Sequence, residues 1–306
     1  ALQADDRVLI GGSFSYVNGF SQRYLGRLNA DGSFDSAFRT SPTSTVNRII
    51  VQADGRFLIA GDFDKVNGVS LNGIARLHAD GGIDNSFAIG SGGSYIDDCV
   101  LTANGKIVIV GAFSTFNGIA RRYIVRLESN GTVDMSFDPG ASSSSSLSEV
   151  AVDSQGRVVV AGSFSKVAGK ARIRLARLNA DGSLDNGFCV GGGLSSTVES
   201  LLIEPDGKIL AGGFFSSFDG VTTGSAVRLM DGSITPLLNA SPTQLPSATV
   251  GSPYTFPLVA QGGAPAYAWS VASGLLPSGL ALAENGTLSG IATTAGSNTV
   301  TLRLTD

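Results

Sequence analysis

Four aspartates recur at one place in an internal pattern: Asp35, Asp84, Asp134 and Asp185. Each lies eight residues after an arginine, Arg27, Arg76, Arg126 and Arg177, across an Asp-Gly or Asn-Gly turn. A fifth arginine, Arg228, keeps the register but has no following Asp. Carboxylates on a turn suit two chemistries. They can ligate Ca²⁺, which takes six or more oxygens, or accept the planar fork of a guanidinium. A full Ca²⁺ loop carries more carboxylates than any copy here. The expectation is therefore turn capping or an Arg–Asp pair, with Asp35, Asp84, Asp134 and Asp185 kept as Ca²⁺ candidates. No metal and no cofactor is expected. The five arginines are read as structural.

The remaining reactive residues do not assemble into a constellation. His78 is the single histidine and ends a strand-like run in one copy only, which suits a satisfied or solvent-facing imidazole. A cysteine nucleophile needs a nearby base. Cys99 and Cys189 hold non-equivalent positions and read as buried free thiols, not as a disulfide. Asp97-Asp98 is an acidic pair that no other copy repeats. The glycine runs Gly191-Gly-Gly and Gly90-Ser-Gly-Gly lack the following helix or lysine of a phosphate loop, and Ser142 to Ser146 is a low-complexity loop. Arg23-Tyr24, Arg121-Arg-Tyr123 and Arg172-Ile-Arg174 are of types enriched where partners bind, but two copies lack them. With no catalytic constellation at one place, the chain is not expected to be an enzyme.

Composition excludes further classes. The 306 residues are 42% apolar and 15% charged, with two cysteines and a formal net charge of −4. A disordered chain is poorer in apolar residues, and a disulfide scaffold needs more cysteine. A nucleic-acid binder usually carries a basic excess. No apolar run approaches the ~20 residues that span a bilayer as a helix.

What must position the recurrent residues is the repeat itself. Five segments align: RVLIGGSFSYVNG from Arg7, RFLIAGDFDKVNG from Arg56, KIVIVGAFSTFNG from Lys106, RVVVAGSFSKVAG from Arg157 and KILAGGFFSSFDG from Lys208. Each is followed by the Arg-Leu pair, and four by the Asp and then Phe38, Phe87, Phe137 or Phe188. Length varies only between that Phe and the next turn, at 17, 18, 19 and 19 residues, so one surface connection is free while the rest stays in register. Apolar runs flanking Asp-Gly or Asn-Gly predict hairpins. The second run is almost continuously apolar (Ile107–Val110, Val158–Ala161), which predicts a strand covered on both faces. A third strand carries Arg-Leu, and a short fourth follows the next turn. Four short strands every 49 to 51 residues match the blade spacing of a β-propeller; an open stack of hairpins is the rival. Ala1–Asp6 match only the end of a first strand and its turn, so the expectation is a chain that starts inside a repeat and belongs to a longer protein.

The units GxFxxxNG and RLNADGSFDSAF resemble the delta-60 repeats of large bacterial surface and secreted proteins, over roughly Ala1 to Ser233. The resemblance implies a propeller-like fold and an extracellular setting, and no activity. Ala168 departs from the pattern where other copies have Asn or Asp, and so does Asn130 where three have Asp. Copy five loses the Asp and Phe. After Ile234 the composition changes: charge almost vanishes and Pro-bearing turns separate short strands, as in a β-sandwich. GSPYTFPLVAQGGAPAYAWSV, LPSGLALAENGTLSGIATTAGS and TVTLRLTD resemble immunoglobulin-like domains of bacterial surface proteins, which act as spacers. Trp269 is expected between the sheets.

The resulting expectation is an all-β chain with a propeller-type repeat domain at 1–233 and an Ig-like β-sandwich at 234–306. Its function is read as a non-enzymatic, extracellular structural or adhesive cell-surface protein. Its partners would be other copies of itself or other surface proteins, with no nucleic acid and no membrane insertion. The alternative is a glycan- or protein-binding propeller module.

Overall fold

The computed structural model describes residues 1–88, 90–140, 143–188, 190–229, 239–241, 245–261 and 268–305. Two compact units divide the chain: Ala1–Asn186 with Gly192–Asp231, and Gly232–Asp306 with Gly187–Gly191. Both are built from strands, with no helix among the described residues.

The repeat unit is a series of small antiparallel sheets. Four of them have three strands in sequence order. The second sheet pairs Val46–Val51 with Phe57–Gly61, and Phe57–Gly61 with Ile74–Leu77. Ile96–Leu101, Leu147–Val152 and Val198–Ile203 open the next three sheets in the same way. The first sheet pairs Val8–Gly11 with Leu25–Leu28. The fourth strand foreseen in each copy contracts to a single bridge, Leu28 to Phe34, Leu77 to Ile83, Leu127 to Val133 and Leu178 to Leu184.

The central strands explain their own composition. Phe57–Gly61, Ile107–Gly111 and Val158–Gly162 are buried at every residue. Successive side chains of a strand point to opposite faces, and here each face meets a neighbouring sheet. Phe57 and Ile59 pack with Leu9, Leu25 and Phe38 of the first repeat, whereas Leu58 and Ala60 pack with Ile96, Ile107 and Ile109 of the third. Val108 and Val110 then join Leu147, Val158 and Val160 of the fourth. The core therefore lies between consecutive sheets, and a polar residue on either face of a central strand would be stranded.

Each central strand ends in glycine because another backbone crosses it. A β-carbon on Gly61, Gly111, Gly162 or Gly213 would run into the carbonyl oxygen of Thr45, Tyr95, Ser146 or Thr197. A two-residue hairpin that the sequence did not announce follows. In the second repeat it is Lys65–Val66 with Val69–Ser70. Its turn residues Asn67 and Gly68 have φ of 50° and 80°, the positive pair that a type I′ turn requires. The hairpin grips the chain entering its sheet: Pro42 bridges Val66, and the Ser41 N–H donates to Asn67 Oδ1 at 2.8 Å.

The C-terminal unit is antiparallel. Pro253–Pro257 pairs with Thr287–Ile291, which pairs with Leu280–Leu282. Ala268–Gly274 pairs with Val300–Thr305, and Asn239–Ser241 with Val259–Gln261. Trp269 is buried, as are Leu258, Leu288 and Ala292, and Gly286 leaves room for the indole, whose Nε1 would touch any β-carbon there.

Candidate functional site

The recurrent Arg and Asp converge on one motif. Arg76 sits on the third strand of its sheet, opposite Leu58. The turn that follows carries the chain back so that the Asp84 N–H donates to Arg76 O at 2.9 Å. Asp84 Oδ1 then accepts from the Ser86 N–H at 2.9 Å and from its hydroxyl at 2.6 Å, an Asx turn of the kind short carboxylates favour. Asp84 Oδ2 accepts from Arg76 Nε at 2.7 Å and from Arg56 at 2.9 Å. The Arg76 guanidinium lies 4.7 Å from the Phe87 ring centre, within cation–π range, and its Nη1 donates to Ser129 O of the next repeat at 2.7 Å.

Other copies share this geometry. Arg27 bonds Asp35 at 2.9 Å, Ala79 O at 2.5 Å, and covers Phe38 at 4.6 Å. Arg126 bonds Asp134 at 2.7 Å, Ala180 O at 2.6 Å, and covers Phe137 at 4.6 Å. Arg177 bonds Asp185 at 2.8 Å. Lys106 joins the third cluster, 2.8 Å from Asp134 and 2.9 Å from Glu128. Arg228 is exposed and instead pairs with Glu204 at 2.6 Å. Burial works to raise Asp84 and Asp134, but hydrogen bonds outweigh it. Ser86, Arg76 and Arg56 hold Asp84 far below the usual carboxylate range; Lys106, Ser136 and Arg126 do the same for Asp134. A divalent cation at any of these carboxylates would sit beside a cation already bonded to it. Among the described residues no group of three or more His, Cys, Asp or Glu is arranged to hold a metal.

The family model described as "Domain of unknown function (DUF5122) beta-propeller" matches residues 3–38, 52–87, 102–137, 154–188 and 204–234, more than half of the chain. The chain belongs to this family. Each of the first four matches runs from the turn before the central strand to the Phe that follows the Asp, which in the first three lies under the guanidinium, so the family pattern encloses the Arg–Asp–Phe motif. Residues 235–306 match the model described as "Putative Ig domain". No curated protein matches the chain.

The other candidates of this DUF5122 propeller are dispersed. His78 is exposed. Cys99 is a free, fully buried thiol, and burial pushes its pKa up, away from the reactive thiolate. Cys189, Ser142 and the residues 230–238 lie outside the described residues. Arg122 folds back on its neighbour, 3.0 Å from the Tyr123 hydroxyl and 4.8 Å from its ring centre, and Arg174 donates to Leu194 O at 2.8 Å. Asp98 is buried: its Oδ2 accepts from the Val150 N–H at 3.1 Å, and Arg48 is 3.3 Å from its Oδ1. Two features escaped the sequence reading. Asn67 and Asn117, in a turn the sequence does not announce, accept backbone N–H bonds from the incoming connection. Glu149, on a first strand, had no signal at all, because its column reads Arg48, Asp98, Glu149, Ser200.

Proposed function

We propose that the chain is a non-enzymatic structural module of an extracellular or cell-surface protein, working by association with copies of itself or with other surface proteins. One observation carries the reading: the polar side chains that recur through the repeats are engaged inside the fold. Arg27, Arg76 and Arg126 each hold the Asp of their own copy and a carbonyl of the next. What the repeats preserve is therefore cohesion between sheets, which serves a scaffold. The Ig-like unit beside the DUF5122 repeats is consistent with a spacer. The test is sedimentation of the purified chain over a concentration series, with a screen against general esterase, glycosidase and protease substrates. Concentration-dependent association without turnover supports the scaffold; reproducible turnover overturns it.

A second reading has one observation in its favour. Tyr16 and Phe20 are exposed on the hairpin of the first repeat, and the Phe20 ring stacks on Phe34 at 4.9 Å with planes 20° apart. An exposed aromatic face of this kind suits the apolar face of a sugar ring. Binding on a glycan array that Tyr16→Ala and Phe20→Ala together abolish would replace the scaffold by a glycan-binding module.

A further inference from the structure

The first strands of neighbouring sheets approach one another without sharing a backbone ladder. Val46–Val51, Ile96–Leu101, Leu147–Val152 and Val198–Ile203 each pair only with the second strand of their own sheet, yet they pack side by side in that order. Each bends at a bulge just after its first residue, between Val46 and Arg48, Ile96 and Asp98, Leu147 and Glu149, and Val198 and Ser200. A bulge re-aims the side chains beside it. The re-aimed third residues are Arg48, Asp98, Glu149 and Ser200, and two of them reach across the gap. Asp98 accepts the Val150 N–H of the next first strand. Glu149 reaches toward the Leu201 N–H of the one after. One carboxylate, Asp98, thus acts as a rung where no backbone rung exists, and a second stands at the next gap.

The groups facing these rungs are nearly all of one sign. Asp97 and Asp98 come from the third repeat, Glu149 from the fourth and Glu199 from the fifth; Asp62 adds a carboxylate from the second and Arg48 the one guanidinium. The central strands Ile107–Gly111 and Val158–Gly162, packed behind, contribute no charge. We propose that this line of carboxylates is a pH-responsive seam, which holds neighbouring sheets together in mild acid and loosens as its rungs ionise. The ionised rung gains from the N–H it accepts and from Arg48, but loses water and meets like charge, and the loss is the larger. Burial first, and Asp98 second, moves Glu149 up to about 7 from 4.5, and burial moves Asp98 in the same direction. A carboxyl raised in the fold binds its proton more tightly there than in the unfolded chain, so its stabilising contribution is complete in acid and is lost as pH rises through the unfolded and then the folded value.

The test follows the repeat unit's melting transition in the full chain from about pH 5 to about pH 9, beside the variant Glu149→Gln, which keeps the size of the side chain but cannot ionise. The wild type should melt lower as pH rises, and Glu149→Gln should remove about half of that fall. An equal fall in both, or none in the wild type, overturns the seam. Hydrogen exchange of the wild type gives a second measure should the variant not fold. After correction for intrinsic rates, the Val150 and Leu201 amides should lose protection with rising pH before that of Ile109 on a central strand; loss in step with Ile109 counts against the proposal.

Discussion

Arg76 is held by two repeats at once: its Nε meets Asp84 of its own copy and its Nη1 meets Ser129 O of the next, both at 2.7 Å. Both side chains are nearly water-free, at 6% and 5% exposure. The pair is therefore of the buried kind, in which losing one partner strands the other's charge. Asp134 and Arg126 repeat the arrangement one copy on.

Arg126→Ala should lower the unfolding free energy of the repeat unit by about 3 kcal/mol, the lower end for breaking a buried pair. Arg126→Lys should recover only part of the loss, since an ammonium lacks the fork that reaches Asp134 and Ala180 O together. Replacing both partners, Arg126→Met with Asp134→Leu, should be milder than the sum of the single losses. Urea denaturation of these proteins, with Arg126→Met and Asp134→Leu each alone, checks all three statements.

Acid should unfold the repeats through the same carboxylates. Asp84 and Asp134 are depressed in the fold, so their contribution is complete above the unfolded carboxylate range near ~4 and is lost as pH falls below it toward their folded values. Melting temperature measured from about pH 5 down to about pH 2 should drop steeply. Asp84→Asn should start lower and drop less.

Ala168 holds φ of 48° where its counterparts are Asn18, Asn67, Asn117 and Asp219. An alanine pays steric strain in that region that glycine avoids. Ala168→Gly should raise stability by about 1 kcal/mol. Ala168→Asn should also stabilise, since Asn tolerates this conformation and brings the acceptor that Asn67 and Asn117 use. Thermal melting of the two variants beside the wild type decides.

Gly111→Ala should destabilise by more than about 2 kcal/mol, because its β-carbon meets a fixed carbonyl, that of Tyr95, and overpacking against a backbone relaxes poorly. Gly11→Ala is the control: its nearest obstacle is a side-chain methyl of Val46, and the loss should be smaller. Denaturation midpoints of both variants measure the contrast.

Much of the fold is legible because the repeats put the same physical demand on the same column. Continuous apolar runs such as Ile107–Val110 declare strands covered on both sides, and the fixed Arg-to-Asp spacing declares a pair across a turn. The fourth strand expected at positions such as Ser33–Phe38 is a single bridge. There Asp35 Oδ1 captures the Ala37 N–H at 3.0 Å, turning the chain away after one bridge. The hairpin at Lys65–Ser70 was hidden because two-residue strands are too short to show alternation. The places of Asp98 and Glu149 were hidden because a bulge breaks the period-two pattern and their column changes residue type in every copy.

The reach of each guanidinium into the following sheet also decides how the repeats can fold. Arg27, Arg76 and Arg126 complete their hydrogen bonds only on Ala79, Ser129 and Ala180, so a single copy formed alone would leave its central cation half-solvated and one face of its central strand bare. The smallest self-consistent piece is two adjacent copies, and free energy accrues per junction rather than per copy, as in a one-dimensional chain of coupled units. Damage at one junction should then propagate along the row, and repair of one should steady its neighbours.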